Sequence, residues 1–559
     1  MVHHRLPIIP AFCDKMKTLS YFCRKEAVPY SKRKQLILWY IFVAILFWGL
    51  YLRFKACYWG MPYRLHPDEG TIVIRAIDML SRNSWEAHSF ERPDQIEIKI
   101  CSILFQIVSH IRYGCDAEEA WNQGNIDFFY LTARRFTAVC GTLMIPLGYC
   151  IVEKVKSHSG IFAAAGIAFF PIFVEHSAYA TPDIPLTLIT MLISYTAMLY
   201  LEHPTQKRFI FLCIEIGCGI LIKYTCAISC ILLAIVFIYN EAKQKKKKKI
   251  MHIVIAGLCS VICILATIFF LAPNLFTNFN ELISHLKTES RNNHLGADGL
   301  GFWGNLLFYL KCFTEHAGFE TWIFVILGII WLFFKRTKHV IPLSLGGIFW
   351  ICTSILSLHW ERWGMPMYVT PIFFFAIGIS FIIDAVFSLV SIKQKVLYGS
   401  IPISLCLLIF MNNFITANVV SLRQSGNQTR IESLSYCNAN QITKENSLSD
   451  GYTPLRLFEP GSIDIQLDEN GKLIIPENIE YLILSSDMYD RYYEETNIYQ
   501  NVIAKYNAIR EQCDLIAEFN PVPEKSSVIS IINLPYQCHA LKQLLAGGIN
   551  GCTIEIYHV

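Results

Sequence analysis

The chain has 559 residues, of which 53% are hydrophobic and only 16% are charged. A water-soluble protein of this size carries about a quarter charged residues, so the composition excludes an ordinary soluble enzyme and points to a polytopic α-helical membrane protein. The net charge of +4 is small, and its basic residues are dispersed or lie beside apolar runs, which argues against nucleic acid as a partner.

Residues 1–34 are polar, end in Lys32, Arg33 and Lys34, and carry no signal-peptide cleavage pattern. They are expected to form a cytoplasmic segment ahead of a retained first span. Eleven spans are expected, at 35–52, 126–152, 159–175, 184–201, 209–222, 224–239, 250–272, 319–334, 340–358, 365–389 and 396–417. The stretch 209–239 is too long for one crossing and is interrupted by Lys223, so it reads as a hairpin of two short helices. Charge supports that split. The Lys/Arg-bearing connections 152–158, 202–208, 241–249, 334–339 and 391–395 then all fall on the side of the N-terminal basic cluster, the cytoplasmic side. The lysine run 245–249 is read as an orientation signal rather than a lipid head-group site. A membrane domain over 35–419 follows.

The opposite face carries the unusual residues. It holds a loop of about 70 residues with "HPDE" at 66–69, the turn "EHSAYATPD" at 175–183, a loop at 273–318 and the turn "LHWERWGMP" at 358–366. Residues 420–559 lie there too. They alternate short apolar runs, such as 481–486 and 528–534, with polar helical stretches such as 488–513, and read as an extracytoplasmic soluble α/β domain. Cys437, Cys513, Cys538 and Cys552 lie in this tail and could pair in any of three connectivities. No Cys/His spacing suggests a structural zinc site.

Ionisable residues near span ends are functional candidates by default. Here they include Asp68, Glu69, Arg134, Arg135, Glu175, His176, Asp183, Lys223, Glu315, His316, Glu361 and Arg362. Interfacial snorkelling would account for any single one, and Trp360 and Trp363 fit an aromatic belt. A cavity of mixed charge accounts better for acidic and basic groups from six hairpins on one face. Carboxylates supply a general base, and arginine and lysine stabilise a departing phosphate. A groove in a membrane suggests that the phosphate belongs to a lipid.

These residues carry a resemblance. The acidic pair Asp68-Glu69 follows the first span, "RFTAVCGTL" opens a later span at Arg135, and "EHSAYATPDIPLTLI" presents His176, Tyr179 and Asp183. "GCGILIKYT" presents Lys223, and "ERWGMPMYVTP" presents Arg362, with Trp363 where the pattern has tyrosine. In that order and on that side, the motifs resemble GT-C glycosyltransferases of the dolichyl-phosphate-mannose protein mannosyltransferase type, whose bacterial relatives include the aminoarabinose transferase of lipid A. The likeness covers most of 35–417.

The resemblance implies a polyprenyl-phosphate sugar donor and inverting transfer of a hexose or pentose to an acceptor hydroxyl on a lipid, glycan or protein. It implies Asp68 as general base and Glu69 as the residue orienting acceptor or base. Arg135, Lys223 and Arg362 would hold the lipid phosphate, Asp183 and His176 would shape the sugar pocket or position the phosphate cations, and Tyr179 would be a further substrate-binding residue. HPDE also resembles the "HxDE" loop of lipid-linked mannosyltransferases, which makes His66 a further site candidate. The tail does not resemble the MIR domain of eukaryotic protein mannosyltransferases, which argues against a protein acceptor. No cofactor is assigned; Asp68, Glu69 and His66 are of types that hold a divalent metal, so metal use is open. A bacterial inner membrane with a periplasmic site is favoured, and an ER membrane with a luminal site is expected if the host is a eukaryote. The rival is a secondary transporter or flippase of a lipid-linked or anionic substrate, which usually shows an inverted repeat and mid-membrane charges.

Two geometric expectations follow. Residues 63–76 should form a short interfacial helix starting near Asp68, with Pro67 in its first turn. Asp68 should lie within about 10 Å of Arg135, Asp183, Lys223 or Arg362, because base and phosphate flank one sugar.

Overall fold

The computed structural model describes residues 32–91, 93–243, 250–289, 295, 300–389 and 391–559. The expected cytoplasmic segment, apart from its last three residues, and the lysine run 245–249 lie outside the described residues.

The membrane part is helical, and its span pattern is less regular than the eleven expected crossings. Seven helical stretches among the described residues are long and apolar enough to cross a bilayer: Gln35–Ala56, Ile126–Val155, Asp183–Glu202, Tyr224–Lys243, Ile253–Leu271, Glu361–Phe387 and Ile392–Ser425. The remaining expected spans are shorter or broken. The run 159–175 divides into Gly160–Ala168 and Pro171–His176, because Pro171 forces the preceding Phe170 into an extended conformation. The run 209–222 is the helix Gln206–Ile222, and 340–358 holds only the apolar stretch Val340–Thr353. The expected span 319–334 is half of a pair, Gly301–Ala317 and Thr321–Lys335, bent by 110°.

Two expected loops are also largely helical. Residues 53–125 contain Glu69–Ser81, Gln95–Tyr113 and Ala117–Asn122, and residues 273–318 contain Asn274–Thr277, Phe279–Glu289 and Gly301–Ala317. Their amphipathic faces explain this: Ile72, Val73, Ala76, Ile77 and Met79 form one buried side of the first of them. Helix Glu69–Ser81 begins one residue after Asp68, so Pro67 precedes the helix rather than lying in its first turn.

The break at Pro171 needs a partner, since it strands carbonyls at the end of Gly160–Ala168. Arg53 supplies it. This arginine is 0% exposed, and it donates from Nη1 to Ala168 O (3.1 Å) and Gly49 O (3.1 Å) and from Nη2 to Ile167 O (3.0 Å). Elsewhere small residues let helices touch. A Cβ on Gly328 would collide with the Phe374 carbonyl and one on Gly378 with the Phe324 carbonyl, so Thr321–Lys335 and Met365–Phe387 cross with backbones in contact.

The last membrane helix, Ile392–Ser425, extends beyond the expected end at 417 into the C-terminal lobe. That lobe holds a four-stranded sheet of order β1-β4-β6-β5, from Ser447–Ser449, Tyr481–Ser485, Ile554–His558 and Asp514–Phe519. β1 and β4 are parallel, and the other two pairings are antiparallel. The short pair β2 (Gln466–Leu467) and β3 (Leu473–Ile474) stands apart from it. The polar stretch 488–513 forms most of Ser486–Glu494 and Gln500–Gln512. The apolar run 528–534, by contrast, opens a helix, Ser530–Leu545, which packs along Ile392–Ser425. Cys437, Cys513, Cys538 and Cys552 are all free thiols, and Cys437 and Cys552 are buried in the core of the lobe.

At the centre of the lobe lies Asp450. Its carboxylate accepts from Ile463 N (2.7 Å), Ser485 N (3.2 Å) and Tyr506 Oη (2.9 Å). Burial nevertheless pushes its pKa up to about 7.

Candidate active site

The two carboxylates of HPDE point to different partners. Glu69, in the first turn of its helix, is 0% exposed and forms a fork with the equally buried Arg134: Nε to Oε1 and Nη2 to Oε2, both 2.7 Å. Oε1 also accepts from Ala180 N at 2.9 Å, in the turn 177–182 that precedes Asp183. Arg134 Nη1 donates to Cys57 O (2.9 Å) and Trp59 O (2.6 Å). One ion pair thus ties together the end of the first span, the HPDE helix, helix Ile126–Val155 and the turn before Asp183.

Asp68 faces the other way. Its Oδ2 accepts from Arg362 Nη1 at 2.7 Å, across 294 residues of sequence. Both side chains are partly exposed, as a group meeting a substrate must be. Arg362 sits in a short 3₁₀ turn, Glu361–Gly364, with Trp360 5.8 Å beneath its guanidinium. A second pair lies close by. Lys223 Nζ donates to Asp183 Oδ1 at 2.6 Å and stands 5.7 Å from the Trp363 ring. Lys223 can reach there because helix Gln206–Ile222 stops one residue earlier and Lys223 is extended before the turn Tyr224–Ile228. Asp183 senses Arg362 as well as Lys223, which joins the pairs into one patch. Trp360 and Trp363 therefore back the cations of this patch rather than serving only as a belt.

Histidines and aromatic rings line the side of the patch. His66 Nδ1 accepts from Asp68 N at 3.2 Å, which fixes the imidazole next to the carboxylate. Burial holds the His66 pKa below its ordinary value, against the opposing pull of Glu69 and Asp68. The Tyr179 ring packs on His66 (4.6 Å), Trp59 (5.1 Å) and His176 (5.6 Å), and its hydroxyl accepts from Gln424 Nε2 at 2.9 Å. His176 lies within electrostatic reach of Asp183, Arg362, His66 and Glu361. Next to Arg362, Glu361 Oε1 meets His316 Nε2 at 2.6 Å.

Asp68, His66, His176, Tyr179, Asp183, Lys223 and Arg362 are thus neighbours, with Glu69 behind them. Arg135 is turned elsewhere: its Nη2 donates to Tyr58 Oη at 3.1 Å and its guanidinium packs on the same ring. Arg134, a candidate in the sequence without an assigned role, is the structural partner of Glu69. The signal was the tandem Arg134-Arg135, because neighbours on a helix point about 100° apart and only one can face a given partner. The ligand set Asp68, Glu69 and His66 is not assembled, since Glu69 gives both oxygens to Arg134. Among the described residues, no group of three or more metal-ligating side chains comes together.

The family model for dolichyl-phosphate-mannose-protein mannosyltransferases matches residues 129–270. That is the family to which the motifs bear their resemblance, and the matched segment carries Arg134, His176, Tyr179, Asp183 and Lys223. No curated protein sequence matches the chain. Among solved structures, the chain is similar to ArnT from Cupriavidus metallidurans bound to undecaprenyl phosphate, at 13% identity and a TM-score of 0.42, covering 87% of this chain and 97% of that one. The apo structure of the same protein gives 12% identity and a TM-score of 0.47 at the same coverage.

Proposed function

We propose that the chain is a membrane glycosyltransferase that moves a sugar from a polyprenyl-phosphate donor to an acceptor hydroxyl, on the face that carries HPDE. The observation that carries this reading is the pairing of Asp68 with Arg362 beside that of Asp183 with Lys223. Two carboxylates and two cations, drawn from four separate segments, sit in one partly exposed patch at the ends of membrane helices. The match of the mannosyltransferase family model to 129–270 supports the same reaction class.

In this reading Asp68 accepts the proton of the acceptor hydroxyl as its oxygen attacks the anomeric carbon. The bond from that carbon to the phosphate oxygen breaks, the configuration inverts, and polyprenyl phosphate departs. Arg362 and Lys223 balance its charge, so no strong general acid is needed. Asp183 and His176 shape the sugar pocket. Glu69 and Arg134 hold Asp68 and the turn before Asp183 in register, as positioning residues. Arg135 has no part in the patch. The charge of the basic connections, which favours a cytoplasmic location for them, supports an extracytoplasmic patch, in the periplasm of a bacterium or the lumen of the ER.

The test sets two assays of purified, reconstituted protein side by side: transfer of labelled sugar from a polyprenyl-phosphate donor, and uptake of labelled sugar into vesicles. Transfer is the expected result. Uptake without transfer would replace this reading with the transporter.

A further inference from the structure

The helix Ser530–Leu545 buries Ser530, Asn533, Gln537, Ala540 and Leu544, one face along its length. That face lies on the last membrane helix, and the two run in the same direction. Asn533 Nδ2 donates to Asn412 Oδ1 at 2.9 Å, while Ala540 and Leu544 pack with Val419 nearer the lobe. Asn412 falls inside the apolar stretch of Ile392–Ser425, about 20 Å below the end of that helix at 1.5 Å per residue. The beginning of Ser530–Leu545 is therefore its deepest part.

Its opposite face changes character along that depth. Val528, Ile529, Ile531 and Ile532 are exposed at the deep end, Ile531 to 64%. Tyr536 follows, with Lys525 Nζ 4.5 Å from its ring, and then the exposed His539 and Lys542. Apolar side chains, then an aromatic ring with a cation, then polar groups is the order found across a bilayer leaflet from hydrocarbon to water.

The deep end is also fastened to the membrane helices. Phe319 N donates to Val528 O at 2.6 Å, and the Glu320 carboxylate accepts from Ser530 N (3.0 Å) and Ser530 Oγ (2.9 Å). Gly318, at φ +84°, allows this approach, since a Cβ there would collide with Ser530 Oγ. Phe319 is itself 61% exposed and continues the apolar outer side of Thr321–Lys335 formed by Ile323, Ile326 and Ile329.

We propose that Val528, Ile529, Ile531 and Ile532, together with Phe319, form a wedge inserted into the acyl-chain region of the leaflet on the candidate-site side. The C-terminal lobe is thereby seated in the bilayer and not only above it. His316, two residues before Gly318, pairs with Glu361, which places the wedge on the same face as Arg362. The inference rests on the membrane fold and is independent of the chemistry proposed for the patch.

The test uses the full chain reconstituted in phosphatidylcholine vesicles, with the photo-crosslinker p-benzoylphenylalanine replacing Ile531, Phe319 or, as the water-facing control, Lys542. Irradiation should yield lipid acyl-chain adducts, read by mass spectrometry, at 531 and 319 and none at 542. Because Phe319 and Ile531 are already exposed, either position alone carries the test if the other variant fails to fold. A crosslink from 531 or 319 to a second copy of the chain, or no lipid adduct at either, would overturn the wedge. Equal lipid adducts at all three positions would overturn it as well.

Discussion

Arg362 donates from Nη1 to Asp68 Oδ2 at 2.7 Å, so the proposed proton acceptor is held by a cation proposed to meet the leaving phosphate. A lipid phosphate entering the patch must compete with Asp68 for that guanidinium. Success would free the carboxylate from its counter-charge and make it a better base at the moment the donor is in place. Asp68→Asn should therefore bind donor at least as tightly as the parent, because Arg362 is then available in advance. Donor titration of both proteins checks this; clearly weaker binding by the variant would mean that Arg362 does not exchange partners.

Lys223→Met should act differently. It removes a phosphate-binding cation and also leaves Asp183, only 3% exposed at its side chain, without its nearest counter-charge. Donor affinity should fall, and the melting temperature in detergent should fall with it, by the equivalent of about 3 kcal/mol. Unchanged donor affinity would remove Lys223 from the phosphate site.

The tandem arginines give a sharp contrast. Arg134→Lys cannot reproduce the two-pronged contact with Glu69 and leaves a buried carboxylate poorly matched, so both folding and transfer should suffer. Arg135→Ala, which loses a contact to Tyr58, should change stability by no more than about 0.5 kcal/mol and leave transfer near the parental rate. The reverse ranking, read from melting and turnover of the two variants, would restore Arg135 to the site.

The C-terminal lobe should be more stable in mild acid. Asp450 titrates at about 7 in the folded lobe against 3.8 for a free side chain, so the folded state holds the proton more tightly. Stability from this group is fully present below about 4 and declines as pH rises to about 7, by about 1.4 kcal/mol per unit within that window. Hydrogen exchange of the β4 amides at pH 5 and pH 8 measures it. Asp450→Asn should flatten the dependence, and an unchanged slope in that variant would assign it to another group.

Most of the residues that gather in the patch were legible in the sequence because they stand out by type and by position relative to span ends. HPDE, Lys223 interrupting an apolar run, and Arg362 between two tryptophans are all one-dimensional signals. The pairings were not legible. Nothing local tells Asp68 to choose Arg362, 294 residues away, or Glu69 to choose Arg134 over its neighbour. The breaks inside apolar runs were not legible for a related reason. Hydropathy records that 159–175 is apolar, whereas the break at Pro171 persists only because Arg53, from another helix, satisfies the carbonyls it exposes. The run 528–534 reads as a strand by composition, and its helical state comes from Asn412 and Glu320, which receive its polar face.

The most direct test of the account is single-turnover transfer by Asp68→Asn, using purified protein, a polyprenyl-phosphate sugar and donor at saturation. The substitution keeps shape and removes the proton acceptor. The rate should drop by roughly 10²–10⁴ while bound donor stays at the parental level. Transfer at the parental rate would contradict the account, and the search for the base would move to His66 or Asp183.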